Sequence, residues 1–399
     1  MPARAAVAVL IRSLSTPVGV THHSPVVAVL SPDRHDMFAL AKGGQLMLAE
    51  MVDHVVGVDP DRDWITAAVV DSATTGMVAT ARFAAKGSGY REAMAWADEY
   101  STDTERAWAV EGTSSYGRGI AAALANSGEW VIEFDRATEK ASKDGAKTDI
   151  LDAVRAARET LGRDKWATPR THNGIREALR VHVVARDSAV NARTAAINEL
   201  KAFVVTAPDH LRDQLRGLKR RSLVKRCAGF RHSDTQPIDE QCTRAAMRAV
   251  ARRIIQLTDE IKTHEKTLRV LVEEAAPQLL GEFGIGPITA AALYVGWSHP
   301  GRCRNEAAYA RLASVAPIPA NSGQTQDRHR LNRGGDRQLN TALHTVAVTR
   351  IRAHPPTQDY KQRRLAEGKT DREIRRCIKR YIARRVWRLL ENPPLEEAA

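Results

Sequence analysis

A chain of 399 residues, 43% of them hydrophobic, is long enough for two or three domains and can build ordinary cores. Its 60 Lys and Arg outnumber 47 Asp and Glu, giving a formal net charge of +13 and a pI near 9.8, which points to a polyanionic partner. No run nears the roughly 18 apolar residues of a membrane span, RAAVAVLI is too short and poorly flanked for a signal peptide, and Cys227, Cys242, Cys303 and Cys377 fit neither a zinc site nor a disulfide framework. A soluble, cytoplasmic protein with no membrane partner is expected.

Residues 1–50 lack sustained periodicity and carry Pro2, Pro17, Pro25 and Pro32. They read as a disordered extension, or as sequence upstream of a start at Met47 or Met51. HVVGVD (54–59), WITAAVV (64–70) and MVATARF (77–83) then read as an antiparallel meander of three strands, separated by the turn sequences PDRD and DSATTG. A helix over 90–100, a strand AWAVE (107–111), a helix over 116–126, a strand WVIEF (130–134) and a helix from about Thr148 follow. This βββαβαβα order is that of the ribonuclease H-like (RuvC-like) α/β nuclease fold, which places such a domain at 51–165.

From Gly174 to Ala207, and again from Ile238 to Ala276, apolar residues recur at helical spacing with no internal Pro or Gly. The spacing predicts two long helices joined by the basic, turn-rich segment 217–237, an antiparallel coiled-coil-like hairpin within a helical region 166–278. A mainly α module over 279–390 and a tail over 391–399 complete the chain. Charge divides along the same lines. Residues 51–150 hold 10 basic and 17 acidic residues, a net of −7, whereas 301–390 hold 21 and 7, a net of +14.

Within GAKTDILDAV, Asp149 and Asp152 stand three residues apart on one helix face, where like charges repel unless solvent or a bound divalent cation offsets them. Asp59 ends the first strand. Glu111 ends the fourth, before Gly112, where a buried strand meets a loop and an unpaired carboxylate is costly to desolvate. Phosphodiester chemistry uses divalent ions about 3.5–4 Å apart, and Mg²⁺ takes hard oxygen ligands. Each acid alone has a plainer reading: Asp59 as a turn former, the Asp149 and Asp152 pair as a solvated helix start favoured by the dipole. Taken in this order on one fold, Asp59, Glu111, Asp149 and Asp152 point to a catalytic site for Mg²⁺ or Mn²⁺.

LLGEFGIGPITAAALYVG (279–296) sets Gly284 and Gly286 before a helix of small residues. It reads either as a phosphate-holding turn of helix-hairpin-helix type or as a plain helix–turn–helix packed through alanine. In PIPANSGQTQDRHRLNRGGDRQLNTAL (317–343), Ser322 precedes Gly323 and is followed by Arg328, Arg330, Arg333 and Arg337. Guanidiniums bind phosphate bidentately and offset charge in the transition state. Ser322 is then either an ordinary turn residue or a nucleophile. Two further basic clusters, KRRSLVKR (219–226) with Lys219, Arg220 and Arg221, and REIRRCIKRYIARRVWR (372–388), are dense enough to favour phosphate contact over a merely solvated face.

VGVD, VEGTSSYG and KTDILDA, in this order and spacing, resemble the DEDD active site of prokaryotic insertion-sequence transposases with a RuvC-like, Holliday-resolvase-type nuclease domain. The resemblance covers about residues 54–390 and includes that family's C-terminal motif of a serine before glycine and a following R-x-R…G segment. It implies that Ser322 attacks DNA to form a phosphoserine link, assisted by the carboxylate–metal site. It also implies donor and target DNA as partners, a structured bridge RNA whose two loops pair with them, and assembly into dimers and a tetramer. DPDRDW after Asp59 and GGDRQLN around Gly334 and Gly335 are variants of the family pattern, and residues 1–50 have no counterpart in it. Two other readings stay open: a metal-dependent junction endonuclease that hydrolyses DNA with the four acids alone, and an inactive nucleic-acid-binding protein.

Overall fold

The computed structural model describes residues 47–103, 105–134, 148–163, 166–233, 235–319, 329–330, 332 and 334–393. They fall into two compact units. One holds the described residues up to 172 together with Ser298–Arg304, and the other holds Asn173–Trp297 and the described residues from 305 onward. The helical middle and the C-terminal helices therefore belong to one unit.

The first unit contains β1 (His54–Pro60), β2 (Trp64–Asp71), β3 (Met77–Ala84), α1 (Gly87–Ala97), β4 (Arg106–Glu111), α2 (Arg118–Asn126), β5 (Val131–Phe134) and α3 (Asp149–Leu161). The sheet order is β3-β2-β1-β4-β5, with β1, β2 and β3 antiparallel and β4 and β5 parallel to β1. This is the mixed five-stranded sheet of a ribonuclease H-like domain, and its elements match the sequence-predicted ones within a few residues. Period-two alternation sends side chains to two cores. Val55, Ala68, Val70, Ala107, Ala109 and Ile132 pack with α3, whereas Val56, Val58, Ile65, Trp108 and Val110 pack with α1 and α2.

Local chemistry sets the turns. Asp71 accepts hydrogen bonds from the Thr74 hydroxyl (2.6 Å) and N–H (2.7 Å), closing the DSATTG turn; the hydroxyl foremost holds its carboxyl below the usual carboxylate range. Under β4 lies a buried polar network. Arg106 donates to Glu129 and to the Ser101 carbonyl, and Trp108 Nε1 donates to the same Glu129 at 2.9 Å, so the guanidinium and the indole both find acceptors.

The second unit contains α4 (Gly174–Thr206), α5 (Asp209–Leu215), α6 (Arg220–Ala228), α7 (Ile238–Ala275), α8 (Pro277–Leu280), α9 (Pro287–Trp297), α10 (Glu306–Leu312), β6 (Ile318–Pro319), β7 (His329–Arg330), α11 (Arg337–Ala353), α12 (Pro355–Ala366) and α13 (Asp371–Glu391). The helices α4 and α7 run antiparallel. Arg186 pairs with Glu265 at 2.9 Å, His182 Nδ1 lies 2.9 Å from His264 Nδ1, and further along Glu199 meets Arg253. One difference from the sequence reading lies between them, where 217–237 was expected to be turn-rich. Residues 220–228 instead form a helix, because Leu223, Val224 and Cys227 give it an apolar face that buries against Leu200, Leu211, Met247 and Ala251.

Farther along, Ala290, Ala291 and Leu293 of α9 are buried, and Gly296 comes so close to α11 that an added Cβ would lie 3.1 Å from Leu339. The final helix, α13, begins with a capping box between Thr370 and Glu373 and buries Ile374, Ile378, Ile382, Val386 and Leu390, a stripe at helical spacing.

Candidate active site and nucleic-acid interface

Strand register brings two of the predicted acids together. In the parallel β1–β4 pair, Val56 lies opposite Trp108, Gly57 opposite Ala109 and Val58 opposite Val110. Asp59 and Glu111 are the next residue on each strand, so they sit side by side at the carboxyl ends of neighbouring strands, which lie about 4.8 Å apart. Both also point to one face. Asp59 is two residues beyond Gly57, and Glu111 two beyond Ala109, a residue of the core formed with α3. At Gly57 the helix touches the strand itself: an added Cβ would lie 1.9 Å from the Ala153 carbonyl oxygen and 2.9 Å from the Ala157 nitrogen. No other residue type fits there without moving α3.

That crossing point is adjacent to Asp152. Thr148 caps α3 by accepting from the Leu151 N–H at 3.3 Å, which puts Asp149 and Asp152 in the first turn. Asp149 is exposed, whereas Asp152 is 8% exposed and accepts from Arg155. Arg155 escaped the sequence reading, although the i,i+3 spacing in DAVR is a signal for such a pair. Its guanidinium neutralises the Asp152 carboxylate.

The turn after Glu111 is built for close backbone packing. Gly112 has φ +61°, and at Gly117 an added Cβ would lie 2.2 Å from the Glu111 carbonyl oxygen. Thr113, fully buried, donates to Glu133 Oε1 at 2.7 Å, and Arg302 lies 3.7 Å from the other Glu133 oxygen. Thr113 is in the sequence motif, but Arg302 is 169 positions from Glu133 and only tertiary structure could reveal it.

The donor set suits a divalent cation in chemistry: four carboxylates and no softer ligand, two of them on adjoining strand ends facing the helix that carries the others. Among the described residues, however, no three His, Cys, Asp or Glu side chains are gathered at metal-holding spacing.

In the C-terminal motif, Ser322, Arg328 and Arg333 lie outside the described residues. Arg330 is exposed on β7, which pairs with β6, and Arg337 is exposed at the first position of α11. Between them, the GGD variant has a clear structural role. Gly335 has φ +107°, an added Cβ would lie 2.5 Å from the Leu312 carbonyl oxygen, and the Asp336 N–H donates to that oxygen at 2.8 Å. Asp336 then caps α11 by accepting from the Leu339 N–H at 2.9 Å. Asn332 donates to the Arg311 carbonyl and Asn340 to the Ala313 carbonyl, so the start of α11 is fastened to the end of α10.

At the glycine turn, Gly284 has φ +82° and lies against Thr349. The Gly286 N–H donates to Thr289 Oγ1 at 3.0 Å, so a side chain already satisfies one of the donors that a phosphate would use.

The basic clusters differ in how their charges are used. Lys219, Arg220 and Arg221, at the start of α6, are exposed. On α13, by contrast, Arg384 and Arg388 both pair with Glu306, and Arg385 pairs with Glu282, which Arg350 also holds. Density of charge favoured phosphate contact along the whole of 372–388, but these three arginines bind carboxylates of the same unit. Arg384 foremost, against opposing burial, and then Arg388 hold the Glu306 carboxyl below the ordinary glutamate range.

No helix among the described residues is long and apolar enough to cross a membrane. No curated protein is significantly similar to the chain. Two family models match it: a DEDD transposase model of the IS110 type over residues 56–207, and the model described as the transposase IS116/IS110/IS902 family over residues 277–362. The first match includes Asp59, Glu111, Asp149 and Asp152; the second includes the glycine turn and the Ser322 motif. With both characteristic parts of one family present in order on this fold, the chain belongs to the IS110 family of DEDD transposases.

Proposed function

We propose that this transposase excises and inserts its element by strand cleavage at the Asp59, Glu111, Asp149 and Asp152 site and by a covalent phosphoserine link at Ser322. The observation that carries the reading is the common face of Asp59 and Glu111 at the carboxyl ends of two parallel strands, beneath the helix that bears Asp149 and Asp152. Mg²⁺ or Mn²⁺, when bound, supplies positive charge at the attacking and leaving oxygens. Asp59 and Glu111 from the strand ends and Asp149 and Asp152 from the helix would hold that ion, Asp152 being the acid that Arg155 pairs with here.

In the proposed step the Ser322 oxygen forms a bond to the scissile phosphorus, the bridging ester oxygen leaves with its electrons, and the serine proton passes to solvent. One phosphoester replaces another, so the strand can be rejoined to a new partner without ATP. Arg328, Arg330, Arg333 and Arg337 would grip phosphate oxygens there, as would Lys219, Arg220 and Arg221 along a backbone. The glycine turn at Gly284 and Gly286 would add a backbone contact. By the family resemblance, a bridge RNA selects donor and target DNA, and dimers assemble into a tetramer, with coiled-coil-like packing of α4 and α7 as one dimerisation surface.

The test is to incubate the protein, co-expressed with its element's flanking sequence, with donor and target DNA and Mg²⁺, to quench in denaturant, and to seek a nucleotide on Ser322 by mass spectrometry. An adduct absent from Ser322→Ala and from Asp59→Ala is expected. Cleaved DNA without adduct, persisting in Ser322→Ala, would make the enzyme a hydrolytic nuclease; no product of any kind would leave an inactive binding protein.

A further inference from the structure

Among the described residues, one charged cluster in the second unit brings Arg375, Lys379 and His344 together. Lys379 on α13 donates from Nζ to Asn340 Oδ1 on α11 at 2.6 Å, joining the two helices. Arg375 lies one turn before Lys379, and His344 one turn after Asn340, so each pair shares a helix face. The charges are close enough to influence one another. His344 is exposed at the surface of α11, yet partial burial first, then Lys379 and Arg375, push its imidazole below its ordinary value. Burial, then Arg375 and Arg376, do the same to the Lys379 ammonium.

Two details separate this cluster from an ordinary solvated basic face. The Nε of Arg375 is buried, and no protein group accepts its hydrogen bond. Among the described residues none of Arg375, Lys379 and His344 pairs with a carboxylate, whereas Arg384, Arg385 and Arg388 on the same helix all do. Gathering cations while leaving a guanidinium donor unmet is costly, and an anion between the helices removes both costs. Guanidinium and ammonium donors together favour the oxygens of a phosphate.

We propose that Arg375, Lys379 and His344 form a pocket that grips one phosphodiester of a nucleic-acid strand between α11 and α13. The cation cluster stands by itself; naming its anion as a nucleic-acid phosphate rests on the transposase reading. Asn340 acts as a positioning residue, holding Lys379 while the pocket is empty.

The first test uses the full unmodified chain with ¹³C-labelled histidine, His344 being assigned with His344→Gln. Its titration midpoint is followed by NMR with short single-stranded DNA, with RNA of the same sequence, and with inorganic phosphate. Because the neighbouring cations hold His344 down, a seated phosphate moves its midpoint upward. A rise with DNA or with RNA supports the pocket and identifies the strand; a rise with inorganic phosphate alone, or with nothing, overturns it.

The second test compares Arg375→Gln/Lys379→Gln with Arg384→Gln, whose guanidinium is occupied by Glu306. The double variant should bind nucleic acid roughly tenfold more weakly, with the slope of log affinity against log salt reduced by about 0.7–0.9 for the lost phosphate contact. Lys379→Arg in the Arg375 background should retain binding. Equal affinity and slope in the double variant and the native chain would overturn the proposal. A failure of strand joining with the His344 shift intact would sink the transposition reading and leave the pocket standing.

Discussion

The carboxyl ends of β1 and β4 in the first unit and α13 in the second each concentrate charge of one sign, yet they use it differently. On the sheet, backbone geometry decides direction. Alternation and parallel register send Asp59 and Glu111 to one face whatever their neighbours are. On α13, helical period spreads arginines around the axis, and their availability depends on acids brought from elsewhere: Glu306 on α10 and Glu282 after α8. A reading of charges thus gives direction where the backbone fixes it, and fails to give availability where pairing across the fold decides.

The largest effect should come from the sheet. Asp59→Asn or Glu111→Gln should slow strand cleavage at least about 10²-fold, by analogy with the loss of other groups that stabilise transition-state charge, with nucleic-acid affinity unchanged. Cleavage assays and binding isotherms on the same preparations would check this, and a parallel loss of binding would dissolve the contrast with the basic helices.

Gly57→Ala tests the same face through packing rather than charge. Its Cβ would collide with the Ala153 carbonyl, a backbone atom with nowhere to yield, so a loss of about 1–3 kcal/mol is expected in denaturant unfolding, as for overpacked cores. Cleavage should fall too, because α3 carries two of the acids. An unchanged midpoint would mean that α3 does not seat on β1.

On α13 the contrast is sharpened by pH. Burial alone would raise Glu282, but hydrogen bonds from Arg385 and Arg350 outweigh it, so Glu282 and Glu306 both sit below the ordinary glutamate range. A carboxylate depressed in the folded state contributes stability above that range and loses it as pH falls through the lower folded value. Thermal melts from neutral to acid pH should show this decline, and Glu306→Gln should lower the neutral melting temperature while flattening the acid limb. An acid limb identical to that of the native chain would remove Glu306 from the account.

The smallest effect is expected at α6. Arg220→Gln should leave stability unaltered and reduce the salt slope of duplex DNA binding by about 0.9, one phosphate's share. No change in slope would make that face merely solvated.

Much of this molecule was legible in its residues. Five strands and the two long helices announced themselves because their apolar periods, 2.0 and about 3.6, are local properties interrupted by equally local turn chemistry. The helix at 220–228 was not, since its basic surface outweighs the short apolar face, which becomes worth burying against Leu200, Leu211, Met247 and Ala251 from distant parts of the chain. Arg155 could have been found from its spacing to Asp152; Arg302 beside Glu133 could not. The glycines of GGDRQLN stood out only as variants, and the close approach to the Leu312 carbonyl supplies their reason.

By itself the sequence determined the order of elements, the types of the four acids and their places at strand ends and on one helix, because these follow from short-range pattern. Tertiary structure alone decided that Asp59 and Glu111 become neighbours across 52 residues, that Asp152 is neutralised by Arg155, and which cations of α13 are bound to acids. The physical reason is range. Backbone periodicity acts over a few residues, whereas a charge is satisfied by whatever the fold brings within hydrogen-bonding distance, however remote it is along the chain.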